Sequence, residues 1–188
     1  MNRRYALGLL AAAAALPAGG CFRRPGPVIS AGLRGAEAYT LATGDKLRII
    51  VFGQDSLSNI YQIDAAGRIS MPLIGPVQVG GLSTASAATA IEGKLRGGFI
   101  REPKVTVEVD TYRPFFILGE VTTSGQFPFV NGMTVQTAVA IAGGFTPRAD
   151  RDVAELTRRT RQGMVRGEVP ITYPVRPGDT IVIKERWF

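Results

Sequence analysis

The sequence predicts an α+β protein made of two small sheet-plus-helix domains. Three observations carry this. The stretch from Phe115 to Arg148 reads strand, turn, strand, helix, a compact ββα unit. An earlier stretch, from Tyr39 to Thr111, also sets short strands around one alanine-rich helix. Two local patterns recur between the stretches. Gly81-Leu82-Ser83 before one helix echoes Gly132-Met133-Thr134 before the other, and Gly44-Asp45 before a strand echoes Gly178-Asp179 before another. The chain has 188 residues and a balanced composition, as a globular protein does. Domains of about 75 residues bury only ~60% of their unfolded surface, so each gains from a neighbour.

The first element, residues 1–20, is a targeting segment. Asn2, Arg3 and Arg4 form a basic start, Ala6 to Leu16 a short apolar run, and Pro17 to Gly20 a small-residue cleavage zone. The apolar run is shorter than the ~20 residues of a membrane-spanning helix. Cys21, the one cysteine, follows directly. This arrangement resembles a bacterial lipoprotein signal, which implies cleavage between Gly20 and Cys21 and acylation of Cys21. A plain secretory signal with an incidental cysteine is the alternative reading. Phe22 rather than Asp after the cysteine points to the outer membrane. Cleavage removes two of the 22 basic residues, leaving 20 against 15 acidic ones, a net charge of +5. That charge fits acidic partners or simply a solvated surface. The basic cluster Arg158-Arg159-Arg161 lacks interleaved aromatics, so nucleic acid is not an expected partner.

Residues 21–38 contain Pro25, Gly26, Pro27, Gly32 and Gly35 without a period, and read as a flexible tether. The first domain spans 39–112. Its opening strand, Lys46 to Phe52, puts Leu47, Ile49 and Val51 on one face. Ile60 to Ile63 is expected to pair with Arg68 to Met71 through the turn Asp64 to Gly67, and Val77 to Val79 is a short strand. Ser83 caps a helix from Thr84 to Leu95, with Ala87, Ala88, Ile91 and Leu95 at helical spacing and Gly97-Gly98 as its stop. Val105, Val107 and Val109 alternate in the next strand, and Tyr112-Arg113-Pro114 closes the domain.

The second domain spans 113–188. Phe115 to Val121 and Gln126 to Val130 are strands; Thr134 caps a small-sided helix through Ala142, stopped by Gly143-Gly144. Such a helix lies flat on a sheet. Val153 to Arg159 and Val165 to Val169 form a hairpin around Arg161-Gln162-Gly163. Thr180 to Lys184 is the closing strand, and Trp187-Phe188 ends the chain as an aromatic pair able to dock.

Catalysis needs groups that move protons, attack or hold a metal. With no histidine and one cysteine, Ser-His and Cys-His arrangements and Cys/His metal sites cannot be assembled. No phosphate loop is present, because Gly143-Gly144 ends a helix rather than opening one. Asp45, Asp64 and Asp179 stand in glycine turns, where Asp has a structural use. The expectation is therefore a protein that is not an enzyme, with no catalytic residue, metal or cofactor. Phe115, Phe116, Phe127, Phe129 and Phe145 serve core packing or sugar stacking. Glu120 is a solvated strand end or a ligand contact.

One resemblance covers nearly all of the chain after Cys21. Tyr39, Gly44-Asp45, Leu47 and Ile49, then Asp64, Gly67, Ile69, Pro72, Gly75, Gly81-Leu82-Ser83, Pro103 and Val105 resemble the polysaccharide export domain of bacterial Wza-like outer-membrane proteins. Leu118-Gly119-Glu120-Val121, Gly125, Gly132-Met133-Thr134, Ala142 to Phe145 and Pro177-Gly178-Asp179 resemble the SLBB domain, a ligand-binding β-grasp fold. The ordered set carries the likeness, not any single motif. It implies an outer-membrane, lipid-anchored, periplasm-facing subunit of a homo-oligomeric ring, commonly eight subunits. Such a ring passively conducts capsular or extracellular polysaccharide through its lumen. It implies an inner-membrane co-polymerase, often with a tyrosine kinase part, as partner. Long family members continue into a C-terminal membrane-crossing helix. This sequence stops at Phe188, so the expectation is a short form that needs a separate outer-membrane β-barrel or serves as the periplasmic section of the conduit. The alternative is a monomeric periplasmic lipoprotein that binds saccharide or peptidoglycan fragments.

Overall fold

A computed structural model describes residues 38–160 and 163–186. Gly20 and Cys21, the signal, nearly all of the tether, and Trp187 and Phe188 lie outside the described residues. The fold is α+β, with strand predominating.

The first unit is built on β1 (Lys46–Val51), flanked by β2 (Asn59–Gln62) and β5 (Val105–Thr111), both antiparallel to it. Period-2 alternation decides which face is dry: Leu47, Ile49 and Val51 are buried while Lys46, Arg48 and Ile50 are exposed. Helix α1 (Thr84–Arg96) covers the dry face through Ala87, Ile91 and Leu95, spaced at four residues so that they stack on one side. A separate hairpin, β3 (Arg68–Met71) with β4 (Gly75–Gln78), adds Ile69, Met71 and Val77 to the same core. Burying each such side chain contributes ~1.5–3 kcal/mol.

Here the expected pairing needs correction. The turn at Asp64 to Gly67 forms, with Asp64 Oδ1 accepting from the amides of Ala66 and Arg68, both at 2.8 Å. The strands on either side of it do not pair with each other. Ile60 and its neighbours pair with β1, and Arg68 to Met71 pairs with β4. The turn chemistry was local and legible. The choice of partner was tertiary: β2 joins the sheet of β1 and β5, while β3 and β4 form a sheet of their own.

The second unit is a five-stranded mixed sheet in the order β7 (Gly125–Phe127), β6 (Phe115–Gly119), β10 (Thr180–Ile183), β8 (Val153–Thr160), β9 (Gly163–Pro170). The last strand is central, not peripheral. It runs parallel to β6, with Ile181 beside Ile117, and antiparallel to β8. First and last strands side by side and parallel, with the helix packed across them, is the β-grasp arrangement. Helix α2 (Val135–Ile141) lies over Phe115, Ile117, Leu156, Ile181 and Ile183 through Val135, Ala138 and Val139. Its small residues let it sit close to the strands. Phe127, Phe129 and Phe145 pack against this core, whereas Phe116 faces outward.

Both helix starts follow the sequence echo. Ser83 Oγ accepts from the Ser86 amide at 3.1 Å, and Thr134 Oγ1 accepts from the Thr137 amide at 3.4 Å. Each occupies an amide that the helix cannot satisfy itself. One glycine is obligatory for a steric reason. Gly119 ends β6 at φ +90°, and a Cβ there would lie 2.1 Å from the Ile183 carbonyl oxygen.

Candidate functional site at the domain junction

The two Gly-Asp turns, one from each unit, face each other across the segment that joins the units. Gly44 and Gly178 both take left-handed φ values, +93° and +82°, which turn the chain into a strand and swing the following Asp inward. In each turn the Asp carboxylate accepts from the amide three residues earlier: Ala42 to Asp45 at 2.8 Å, Arg176 to Asp179 at 2.7 Å. In each turn an arginine then neutralises the carboxylate. The echo in the sequence is an echo in geometry.

The arginines come from different places. Arg158, on β8, reaches Asp179 with Nε at 2.9 Å and Nη2 at 2.7 Å, a two-pronged pair with almost no solvent contact. Its remaining donors go to the Pro174 carbonyl at 3.0 Å and the Tyr173 hydroxyl at 3.2 Å, and it lies over the Tyr173 ring. Burial pulls the Arg158 pKa down, but the hydrogen bond and charge of Asp179 outweigh it, and the net shift is upward. The guanidinium stays charged.

Arg113, in the connection between units, donates from Nη1 to Asp45 at 3.2 Å and to the Tyr39 hydroxyl at 3.1 Å. Its backbone amide also donates to Asp45 at 3.0 Å. Tyr39 donates its own hydroxyl to the same carboxylate. Burial, and then that bond to Asp45, push the Tyr39 phenol far above its ordinary value, so it remains a donor. Arg113 also touches the other turn. A Cβ placed on Gly178 would lie 2.7 Å from Arg113 Nε, and the Gly178 amide donates to the Pro114 carbonyl at 3.0 Å. An aromatic chain runs alongside: Tyr39 meets Tyr112 edge-on at 5.2 Å, and Tyr112 meets Phe129 edge-on at 5.4 Å. One residue from each unit thus brackets one from the connection.

A cleft of about 1030 Å³ opens at this junction. The first unit contributes Tyr39 to Thr43, Ser83 and Ser86; the second contributes Arg158, Arg159, Arg176 and the Gly178-Asp179 turn; Arg113 lies between.

Of the residues weighed from sequence, Asp45 and Asp179 do stand in turns, but as buried anchors of ion pairs. Asp64 caps its turn at the surface. Glu120 accepts from the Thr146 hydroxyl at 2.5 Å and so ties a loop down. Gly143 and Gly144 receive Thr122, whose hydroxyl donates to the Gly143 carbonyl at 2.9 Å and whose amide donates to that of Gly144. Sequence reasoning missed Arg113 and Arg158. For Arg158 a signal existed: it continues the period-2 series of Ala154 and Leu156, both inward. Arg113 carried no such signal, since its role depends on how the two units meet. Among the described residues no three His, Cys, Asp or Glu side chains converge as metal ligands, and no helix is long and apolar enough to cross a membrane.

Fold and junction define a class of protein: a tandem α+β chain whose sheet-and-helix units are held in fixed relation by a buried polar clamp. Residues 34–110 match the family described as polysaccharide biosynthesis/export protein, and residues 114–169 match the SLBB domain. The chain belongs to the Wza-like polysaccharide export family, with an export domain followed by an SLBB domain. It is 33% identical over 132 residues to the exopolysaccharide production protein ExoF of Rhizobium meliloti, covering 64% of this chain and 31% of that protein. It is 24% identical over 123 residues to the polysialic acid transport protein KpsD of Escherichia coli, covering 64% of this chain and 22% of that protein. The chain therefore spans a third or less of the length of these curated relatives.

Proposed function

We propose that this chain is a subunit of a ring-shaped channel that exports capsular or extracellular polysaccharide. The observation that carries the reading is the tandem itself: an export domain and an SLBB domain clamped through Arg113 into one unit. ExoF and KpsD, named for exopolysaccharide production and polysialic acid transport, support the polymer class. In this reading residues 1–20 are a lipoprotein signal, Cys21 carries the acyl anchor at the outer membrane, and 21–38 tether two functional domains, 39–112 and 113–188, in the periplasm. The ring is a homo-oligomer that meets an inner-membrane co-polymerase.

The action is passive. A long hydrophilic polymer slides through a wet lumen; tight sites would stall it. The open face of the five-stranded sheet, with Phe116 and Leu118 exposed, supports association of subunits, because a lone copy leaves these side chains in water. Two experiments test the reading. Electron microscopy of the detergent-extracted protein should show rings, and only monomers would count against it. Deleting the gene should reduce surface polysaccharide; a coat unchanged in amount and location would overturn it.

A further inference from the structure

We propose that the end of the first unit opposite the junction docks on an anionic phospholipid bilayer. The strand pairings place three segments at that end. β1 runs away from the Gly44-Asp45 turn and stops at Val51, beside Val105 at the start of β5. Glu92 of α1 is half-buried and accepts from the Val105 amide at 3.0 Å, so the last turns of the helix lie there too. Lys94 Nζ donates to the Pro76 carbonyl at 2.5 Å, which brings the turn between β3 and β4 alongside. The three segments are residues 52–58, 72–76 and 94–104.

Each carries a large apolar side chain in water. Phe52 is 83% exposed, Leu73 62% and Phe99 53%. Leu73 holds a left-handed φ of +67°, and among the described residues no other residue but glycine does so. Such a backbone is strained for leucine and ordinary for glycine. A strained, exposed leucine points to a use for its side chain. The charge around these tips is positive. The three segments hold Lys94, Arg96, Arg101 and Lys104 against Asp55 and Glu102, four basic residues against two acidic ones, a net +2. Lys94 is engaged by Pro76, but Arg96, Arg101 and Lys104 are exposed, and among the described residues no carboxylate is paired with them.

Two features favour a bilayer over a protein partner. The apolar groups stand on separate loops, and a bilayer interface takes them up without a matching pocket. The backbone at the tips also satisfies itself. The amides of Phe52, Gln54 and Ile74 donate to the carbonyls of Lys104, Val51 and Pro72, and those of Phe99 and Ile100 both donate to Leu95. A loop whose amides are already bonded leaves bulk water at low cost. Phosphate headgroups then meet the cations while the two rings and the leucine enter the acyl boundary. This docking is independent of ring formation and of export.

The test incorporates the full chain into vesicles of phosphatidylglycerol and phosphatidylcholine with brominated acyl chains. Phe52→Trp supplies a reporter that bromine quenches at the acyl boundary, and the parent chain gives the background of Trp187. The expected result is quenching that fades with added salt and is absent in pure phosphatidylcholine. Arg101→Gln with Lys104→Gln should lower the ratio of docked to undocked chains about fivefold for each charge removed. Leu73→Gly should lower it about tenfold while the urea midpoint holds or rises, so that a folding defect cannot imitate the loss. No quenching in anionic vesicles, equal quenching in neutral ones, equal quenching of a reporter on the second unit (Val130→Trp), or an unchanged ratio in Leu73→Gly would each overturn the proposal. So would a reporter signal that follows protein concentration without lipid, which would mark a second copy as the occupant.

Discussion

Arg113 and Arg158 neutralise equivalent carboxylates in equivalent turns, yet truncating them should cost different amounts. Asp179 receives three hydrogen bonds, and two of them come from the Arg158 guanidinium. Arg158→Ala leaves a carboxylate that is 1% exposed with a single backbone donor, and it also empties the space beneath Tyr173. Removing one partner of a buried pair costs ~3–5 kcal/mol, because the other charge is stranded in low dielectric. Asp45 is as deeply buried, but it keeps the Tyr39 hydroxyl and the amides of Ala42 and Arg113 when the Arg113 side chain is cut back. The lost guanidinium is itself a quarter exposed, so the loss should be ~1 kcal/mol. The assay is urea unfolding read by hydrogen exchange at amides of β8 and β10 for one turn and β1 for the other. With a slope of about 2 kcal/mol per molar urea, the two variants should differ by ~1–2 M in midpoint. Replacing both partners, Arg158→Met with Asp179→Leu, should recover most of the loss, since no charge is then stranded. Equal losses for the two arginines, or a loss below ~1 kcal/mol for Arg158→Ala, would refute the reasoning.

Gly119→Ala drives a Cβ to 2.1 Å from the Ile183 carbonyl oxygen at a positive φ, so the second unit should fail to form, seen as lost exchange protection in β6 and β10 but not in β1. Leu73 is 62% exposed at φ +67°, and Leu73→Gly relieves left-handed strain of ~1–2 kcal/mol. After the flexibility cost of glycine, a net gain of ~0.5 kcal/mol in urea unfolding is expected. The raised pKa of Tyr39 means the folded state holds its proton where the unfolded chain releases it. Its contribution is full below the ordinary value of 10.0 and is lost as pH climbs above it, so Tyr39→Phe should flatten the alkaline fall in thermal midpoint.

Much of the fold was legible because its signals are local. The alternation of Leu47, Ile49 and Val51 set the inward face of β1, and Ser83 and Thr134 marked both helix starts to the residue. Pairing was less legible. The turn at Asp64 is real, but the strand before it pairs with β1 and the strand after it with β4, a choice that turn chemistry alone does not set. The position of β10 at the centre of its sheet was hidden for the same reason: parallel pairing with β6 joins segments sixty residues and more apart. The turn aspartates were legible as turn residues and illegible as charges, because their arginines arrive from other elements.

Repetition of the Gly-Asp turn has a mechanical consequence. Arg113 holds Asp45 with its tip while its stem lies against Gly178, so each turn is packed on the same side chain. Neither unit can rotate about the connection without breaking the bond to Asp45 or opening the contact at Gly178. The Tyr39, Tyr112 and Phe129 edge contacts add a second constraint in the same place. The proposed ring would need each chain to present its surfaces at a fixed angle, and two points of contact through one arginine would supply that angle. The clamp also explains why the cleft beside it is basic. The arginine that braces two turns is a quarter exposed and lends that part to the lining, Arg158 stays sealed against Asp179, and Arg159 and Arg176 add further positive charge to the lining.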